Sequence, residues 1–409
     1  MQSPASGAAP GAVDLPAAWG GVFALSLGAF ALVASEFMPV SLLTSIASDL
    51  HVTEGQAGQS IAVSGAFALA TSLSLSSLAG KLDRKLLLLA LTLLMVVAGS
   101  IAAFAPNYPT FMIGRAFIGV AIGGFWSMSA ATAMRLVPAD QVPKALAIVN
   151  GGNALATVVA APLGSFLGAL VGWRGAFFFL IPVAALALAW KWVSLPPMPG
   201  ERTQRSGNVF TLFKRPPVAL GMIAVSLFFM GQFALFTYLR PFLETVTQAS
   251  ATTTSLMLLV IGVAGFIGTT VIGSFLKDGL YRTLVVIPLL MAAIGVALML
   301  FGASPFVTAV LLGVWGLVGT AAPVGWWTWL ARTLPQDAEA GGGLMVAVVQ
   351  LAIALGATVG GILFDGFGYR ATFSASVVVL AAAAGMALLA ARAARFAEAR
   401  PAVSLRRLG

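Results

Sequence analysis

One carboxylate in this chain stands apart from the other residues that could do chemistry. In "LVASEFMPVSLL", residues 32–43, Glu36 is the single ionisable group of an apolar run over 18–44. A charged side chain is costly inside a membrane, and acids found there mark proton relays. Glu36 lies roughly 25 Å along the run at 1.5 Å per residue, beyond the middle of a bilayer. Pro39 follows within a turn and is expected to kink or unwind the helix locally.

The other acids are placed less tellingly. Asp49 and Glu54 fall in a polar connector, Asp83 in a short loop, and Glu244 and Asp365 at the ends of apolar segments, where a wet carboxylate is ordinary. Two arginines lie within apolar segments, Arg115 and Arg240. Each is expected to face a cavity or a partner. Arg115 reads as tuning Glu36 or anchoring a polar solute. Arg240, in "FTYLRPF", is close enough to a segment end to snorkel instead.

There is no cysteine, and the one histidine, His51, sits in the connector "SDLHVTEGQ". No thiolate or multi-histidine metal site, nucleophile elbow or phosphate-binding loop can be assembled. An enzyme, an ATP-driven pump and a metal or cofactor requirement therefore have no residues behind them. With no nucleotide site, a proton gradient is the simplest energy source for transport.

The elements that must position these groups follow from composition. Hydrophobic residues make up 59% of the chain and charged residues 9%, against about 25% charged in soluble domains. This is an integral membrane protein, all-α because backbone amides in hydrocarbon must bond within their own segment. Twelve apolar segments are expected, at 18–44, 57–79, 86–105, 109–135, 143–171, 175–195, 217–246, 253–276, 283–302, 306–332, 340–365 and 370–395. "GVAIGG" and "GATVGG" are small-xxx-small patterns suited to close helix packing. Residues 1–16, rich in Gly, Ala, Pro and Ser, read as a disordered tail before an uncleaved first span. The Pro-rich then basic connector 196–216 divides a first six-helix half, 17–195, from a second, 217–396, with a tail at 397–409. Its "NVFTLF" reads as lying along the membrane surface.

With both termini on the cytoplasmic side, the inner connectors hold Lys81, Arg84, Lys85, Arg135, Lys144, Lys191, Arg202, Arg205, Lys214, Arg215, Lys277, Arg282, Arg332 and the C-terminal arginines, and the outer ones only Arg174 and Arg370. That asymmetry sets the orientation. It also accounts for most of the +9 charge without a nucleic-acid partner.

The halves repeat. "APLGSFLGALVGWRGAFF", 161–178, aligns without gaps on "ATVGGILFDGFGYRATFS", 357–374, pairing Gly172 with Gly368, Trp173 with Tyr369 and Arg174 with Arg370 at an offset of 196. "MRLVP" and "ARTLP" match at an offset of 197. Carried back to the first segment, the offset sets Glu36 opposite Gln232, its neutral isostere.

These features resemble the major facilitator superfamily, which is built from two parallel six-span repeats. "AGKLDRKLLLL" is similar to the family's loop signature through Gly80, Asp83, Arg84 and Lys85, with shortened spacing and one glycine missing. "RAFIGVAIGG" resembles the span-four pattern through Arg115, Gly119 and Gly123, and "AAPLGSFLG" the span-five antiporter signature through Pro162 and Gly164, without the glycine before the proline. Longer strings, among them "APNYPTFMIGRAFIGVAIGGFWSMSAATAMRLVP" and "GQFALFTYLRP", are similar to bacterial purine ribonucleoside efflux pumps of the drug:proton antiporter group.

The resemblance implies alternating access by two six-helix halves in a bacterial cytoplasmic (inner) membrane, working as a monomer on a small-molecule substrate. It implies Gly80, Asp83, Arg84 and Pro162 as gating residues, with Glu36 and Arg115 in proton coupling. The central cavity it implies makes Trp126, Asn150, Asn153, Gln232, Phe236, Tyr238, Arg240, Trp326, Trp327 and Gln350 the candidates for holding a solute, a planar base stacking on rings and bonding amides. Multidrug and sugar exporters share the framework, and the broken span-five signature leaves import open. A receptor or scaffold on this fold is disfavoured by the short loops.

Overall fold

The computed structural model describes residues 17–78, 82–199, 209–335 and 338–405. The predicted N-terminal tail, Gly80 and the middle of the linker lie outside them. Among the described residues the chain is helical throughout, with no strand.

The first half contains α1 (Trp19–Leu50), α2 (Glu54–Leu78), α3 (Arg84–Ala103), α4 (Tyr108–Arg135) and α5 (Val142–Ser194). A short 3₁₀ turn, Val209–Lys214, stands where "NVFTLF" was expected on the membrane surface. The second half contains α6 (Pro216–Phe236), α7 (Leu239–Thr245), α8 (Ala251–Phe301), α9 (Pro305–Gly319), α10 (Ala322–Thr333), α11 (Ala338–Phe367) and α12 (Tyr369–Leu405). Ten of the described helical stretches are long and apolar enough to cross a membrane, α6 with α7 and α9 with α10 each counting as one.

The two longest helices are interrupted by glycine. α5 has 53 residues and α8 has 51, each roughly 80 Å at the helical rise, far more than a ~30 Å hydrocarbon core. Each is two helices meeting at a non-helical glycine, Gly172 (φ 76, ψ 167) in α5 and Gly279 (φ −127, ψ 28) in α8. Gly172 and its repeat partner Gly368 (φ 78) both occupy the left-handed region, where a Cβ is strained. The matched "GWR" and "GYR" corners therefore share backbone geometry as well as sequence.

Helix contacts follow the small residues. Gly119 and Gly123 of α4 meet Ser64 and Ala68 of α2, and Gly356 and Gly360 of α11 meet Met230 and Ala234 of α6. Between halves, α2 packs along α11 and α5 along α8. Large apolar side chains such as Phe275, Val193 and Phe306 stay exposed, as the lipid-facing side of a membrane bundle requires.

Three expectations are corrected. α1 runs on to Leu50, and it stays helical through Pro39. Lys191, expected in a cytoplasmic connector, is buried instead. Its ammonium lies 2.8 Å from Thr92 Oγ1 on α3 and 5.1 Å from the centre of the Phe125 ring, in space left by Gly28. The missing side chain at Gly28 lets a cation that could have reached water fold inward.

Candidate functional site

Glu36 is the one carboxylate buried among the described residues. α1 brings it into the bundle, and the Gln350 side chain of α11 lies against it from the other half. Gly65 of α2 lets that part of α11 approach, its missing Cβ falling 3.0 Å from the Gln350 carbonyl oxygen.

Arg115, on α4, is fully buried, and its guanidinium spans two helices. Nε donates to Ser60 O (3.1 Å), Nη1 to Ser35 O (2.8 Å), and Nη2 to Glu36 O (3.1 Å) and Ser64 Oγ (3.0 Å). Its positive charge also acts on the buried Glu36 carboxylate, while its hydrogen bonds go to main-chain carbonyls and a serine. The reason lies in Pro39. Proline has no N–H, so the carbonyl four residues back, Ser35, loses its helical donor. Arg115 supplies that donor and holds the backbone of Glu36 in the same grip. The arginine thus positions Glu36 by its main chain and acts on the carboxylate by charge, while the hydrogen bond to the carboxylate comes from Gln350.

The amide candidates differ in what they have left to offer. Gln232 and Gln350 each carry a buried Oε1 with no partner, so each can accept from a solute N–H or O–H. Asn150 is exposed and turns its amide back on Leu146 O at 3.0 Å. Asn153 is half-buried.

The rings divide similarly. Phe37 and Phe233, neither expected as a site residue, stack at 5.8 Å between α1 and α6, and Phe236 meets Phe233 edge-on at 6.0 Å. Trp126 is half-buried. Trp326 is buried edge-on against Trp329, whose ring fills the space at Gly221, while Trp327 is turned outward and exposed.

Tyr238 and Arg240 are occupied within the protein. The Tyr238 hydroxyl donates to Ala357 O at 2.7 Å, and its ring stacks on Phe364. Arg240 donates to Ser41 O across the halves and to Glu244 at 2.7 Å. Both fasten the end of the bundle where Asp365 lies.

Asp365 is exposed, as read from the sequence, and it is also central to that end. It accepts from Thr53 Oγ1 at 2.5 Å and Gly55 N at 2.9 Å. Thr53 and Gln56 form a capping box at the start of α2, with Gln56 N to Thr53 Oγ1 and Thr53 N to Gln56 Oε1 both 3.0 Å. Asp365 completes that cap from the second half. Its partners are 310 and 312 residues away, so no local pattern announced the role.

At the opposite end, Asp83 caps α3 through Lys85 N (2.7 Å) and holds Met198 N (3.0 Å), while Arg84 N donates to Met198 O (2.8 Å). The loop signature thus ties the end of α5 to α3 within one half. Pro162 is buried in α5.

Comparison with known proteins agrees with this architecture. The Major Facilitator Superfamily profile matches residues 25–357. "Transcription regulatory protein OpdE" of Pseudomonas aeruginosa is 65% identical over 378 residues, 91% of this chain and 94% of the relative. "Purine ribonucleoside efflux pump NepI" of Salmonella paratyphi B is 42% identical over 350 residues, 86% and 88% of the two chains. In three dimensions the chain resembles a bacterial homologue of the human lysosomal transporter Spinster, solved inward-facing and unoccupied, with a TM-score of 0.75 at 16% identity over 94% of this chain and 98% of that one. A buried carboxylate between two helical halves, a profile match over most of the length and extensive relatives lead to one conclusion: the chain belongs to the major facilitator superfamily.

Proposed function

We propose that the protein is a proton-coupled antiporter that exports purine ribonucleosides such as inosine or guanosine by alternating access. The observation that carries the reading is Glu36, a buried carboxylate between the halves, facing Gln350 and held by its main chain to Arg115. A group so placed can take a proton in one facing state and release it in the other. The unpartnered oxygens of Gln232 and Gln350 suit the N–H and O–H donors of a nucleoside. The relatives named as purine ribonucleoside efflux pumps supply the cargo class. Drug or sugar efflux is the alternative cargo.

The proposal includes twelve crossings, counting α5 and α8 as two each, in two six-helix repeats. It sets both termini in the cytoplasm of an inner-membrane monomer. The Asp365 end then faces outward, where Asp365 and Arg240 bond across the halves, and the Asp83 end faces the cytoplasm.

The name of the Pseudomonas relative favours a second reading, a membrane regulator of gene expression. Transport separates the two. Inside-out vesicles should accumulate labelled inosine when a proton gradient is imposed. Glu36→Gln should abolish the uphill component while retaining exchange. Uphill uptake at the wild-type rate in that variant would remove Glu36 from coupling. A folded wild type that moves no inosine, drug or sugar would favour the regulator.

A further inference from the structure

Away from the Glu36 site, a groove of about 780 Å³ opens on the flank of the second half, between the two parts of α8 and the α9–α10 region. Its walls include Val271, Phe275, Val286 and Leu317. These side chains are exposed, so in a membrane they meet acyl chains. The groove also holds two opposite charges, Asp278 and Arg282.

Four residues apart on a continuous helix, an acid and a base pair readily, as Arg240 and Glu244 do at 2.7 Å in α7. Asp278 and Arg282 do not, because the non-helical Gly279 lies between them. Both are exposed, and among the described residues neither forms an ion pair or a hydrogen bond. Asp83, at the start of α3, by contrast has both oxygens committed, to Lys85 N and Met198 N. Asp278 caps nothing and pairs with nothing. An apolar channel ending in one unspent anion and one unspent cation matches a lipid that is itself zwitterionic.

We propose that this groove is a binding site for phosphatidylethanolamine. An acyl chain lies along Val271, Phe275, Val286 and Leu317, Arg282 takes the phosphate, and Asp278 takes the primary ammonium. Anionic lipids would offer nothing to Asp278. Phosphatidylcholine would bring a cation without N–H donors, so the charge-assisted hydrogen bond is missing. The site is independent of the cargo and of proton coupling.

The test is native mass spectrometry of the purified full-length chain with lipids of one acyl composition. Their headgroups run from ethanolamine through its mono-, di- and trimethyl forms, with phosphatidylglycerol alongside. Retention by the wild type should fall as N–H groups are lost, by roughly tenfold from the first to the last, the size of one hydrogen bond to a charged group. Asp278→Asn should erase that ranking, and Arg282→Gln should weaken ethanolamine and choline lipids alike. Equal retention of all headgroups, preference for phosphatidylglycerol, or wild-type retention by the double variant would each overturn the site and leave only unselective annular lipid. Displacement of the bound lipid by inosine would also overturn it, since the groove would then belong to the solute path. The headgroup series on the wild type needs no variant to fold.

Discussion

Phe37 of α1 and Phe233 of α6 stack on each other with ring centres 5.8 Å apart and planes 24° apart, and they are separated in sequence by 196 residues, the offset of the repeat. Under the proposed two-repeat arrangement, residues related by its axis would touch only beside it, and this stack is what a register pairing Glu36 with Gln232 would require.

This contact should couple the halves. Phe37→Ala and Phe233→Ala should each lower thermal stability, by about 3–5 kcal/mol if the site cannot collapse. In a double-mutant cycle they should show an interaction of about 0.5–1.5 kcal/mol, the size of an aromatic pair. Strict additivity would mean that the rings merely adjoin.

Asp365 holds the halves together where it caps α2. Asp365→Ala leaves Gly55 N and Thr53 Oγ1 without their cross-half acceptor, a loss of about 1.5–3 kcal/mol for a bond to a charged group. The expected outcome is opening at that end. The chain has no cysteine, so one introduced at Gln59, which bonds Thr358 across the halves at 3.0 Å, reports it directly. Its labelling by an impermeant maleimide should rise roughly tenfold or more in the variant. An unchanged rate would show that Arg240 and Tyr238 suffice to keep this end closed.

Arg115 should resist even conservative replacement. Lysine cannot span Ser35 O, Ser60 O, Glu36 O and Ser64 Oγ with one ammonium, so Arg115→Lys should lower stability by about 1–3 kcal/mol. Pro39→Ala restores the helical donor to Ser35 O and should reduce the cost of Arg115→Lys when the two are combined. A cost unaffected by Pro39→Ala would sever the link between the proline and the arginine.

Gly28 and Lys191 form a steric pair. A Cβ at Gly28 meets the Lys191 Cε at 2.9 Å and crowds its Nζ, so Gly28→Ala should lower the melting temperature. Lys191→Met, which exchanges a buried cation for an apolar chain of similar length, should be neutral or stabilising and should rescue Gly28→Ala. Failure of the rescue, with Lys191→Met folded, would indicate that another neighbour sets the tolerance at Gly28.

Much was legible because membranes simplify the code. Apolar runs long enough to cross hydrocarbon must be helical, so the helices around Glu36 and Arg115 could be read from composition alone. The glycines of the "GWR" and "GYR" corners were legible because positive φ at both places calls for glycine. Lone charges in apolar runs singled out Glu36 and Arg115, and the family resemblance added Gln232 and Gln350.

What only the tertiary structure decided is which atoms those residues spend on one another. The sequence suggested that Arg115 tunes Glu36; packing adds that its hydrogen bonds go to the main chain, one of them to the carbonyl that Pro39 orphans. Asp365 read as an ordinary acid at a segment end, yet it meets the start of α2 across the halves. Lys191 lies three residues from the end of α5, where snorkelling is expected, but a glycine on α1 lets it turn inward. Helix formation rests on contacts within a few residues and on the solvent around them, so a sequence determines it locally. Hydrogen-bond partners more than 300 residues away depend on how helices dock, and docking is set by the sum of many small packing contacts that no single segment contains.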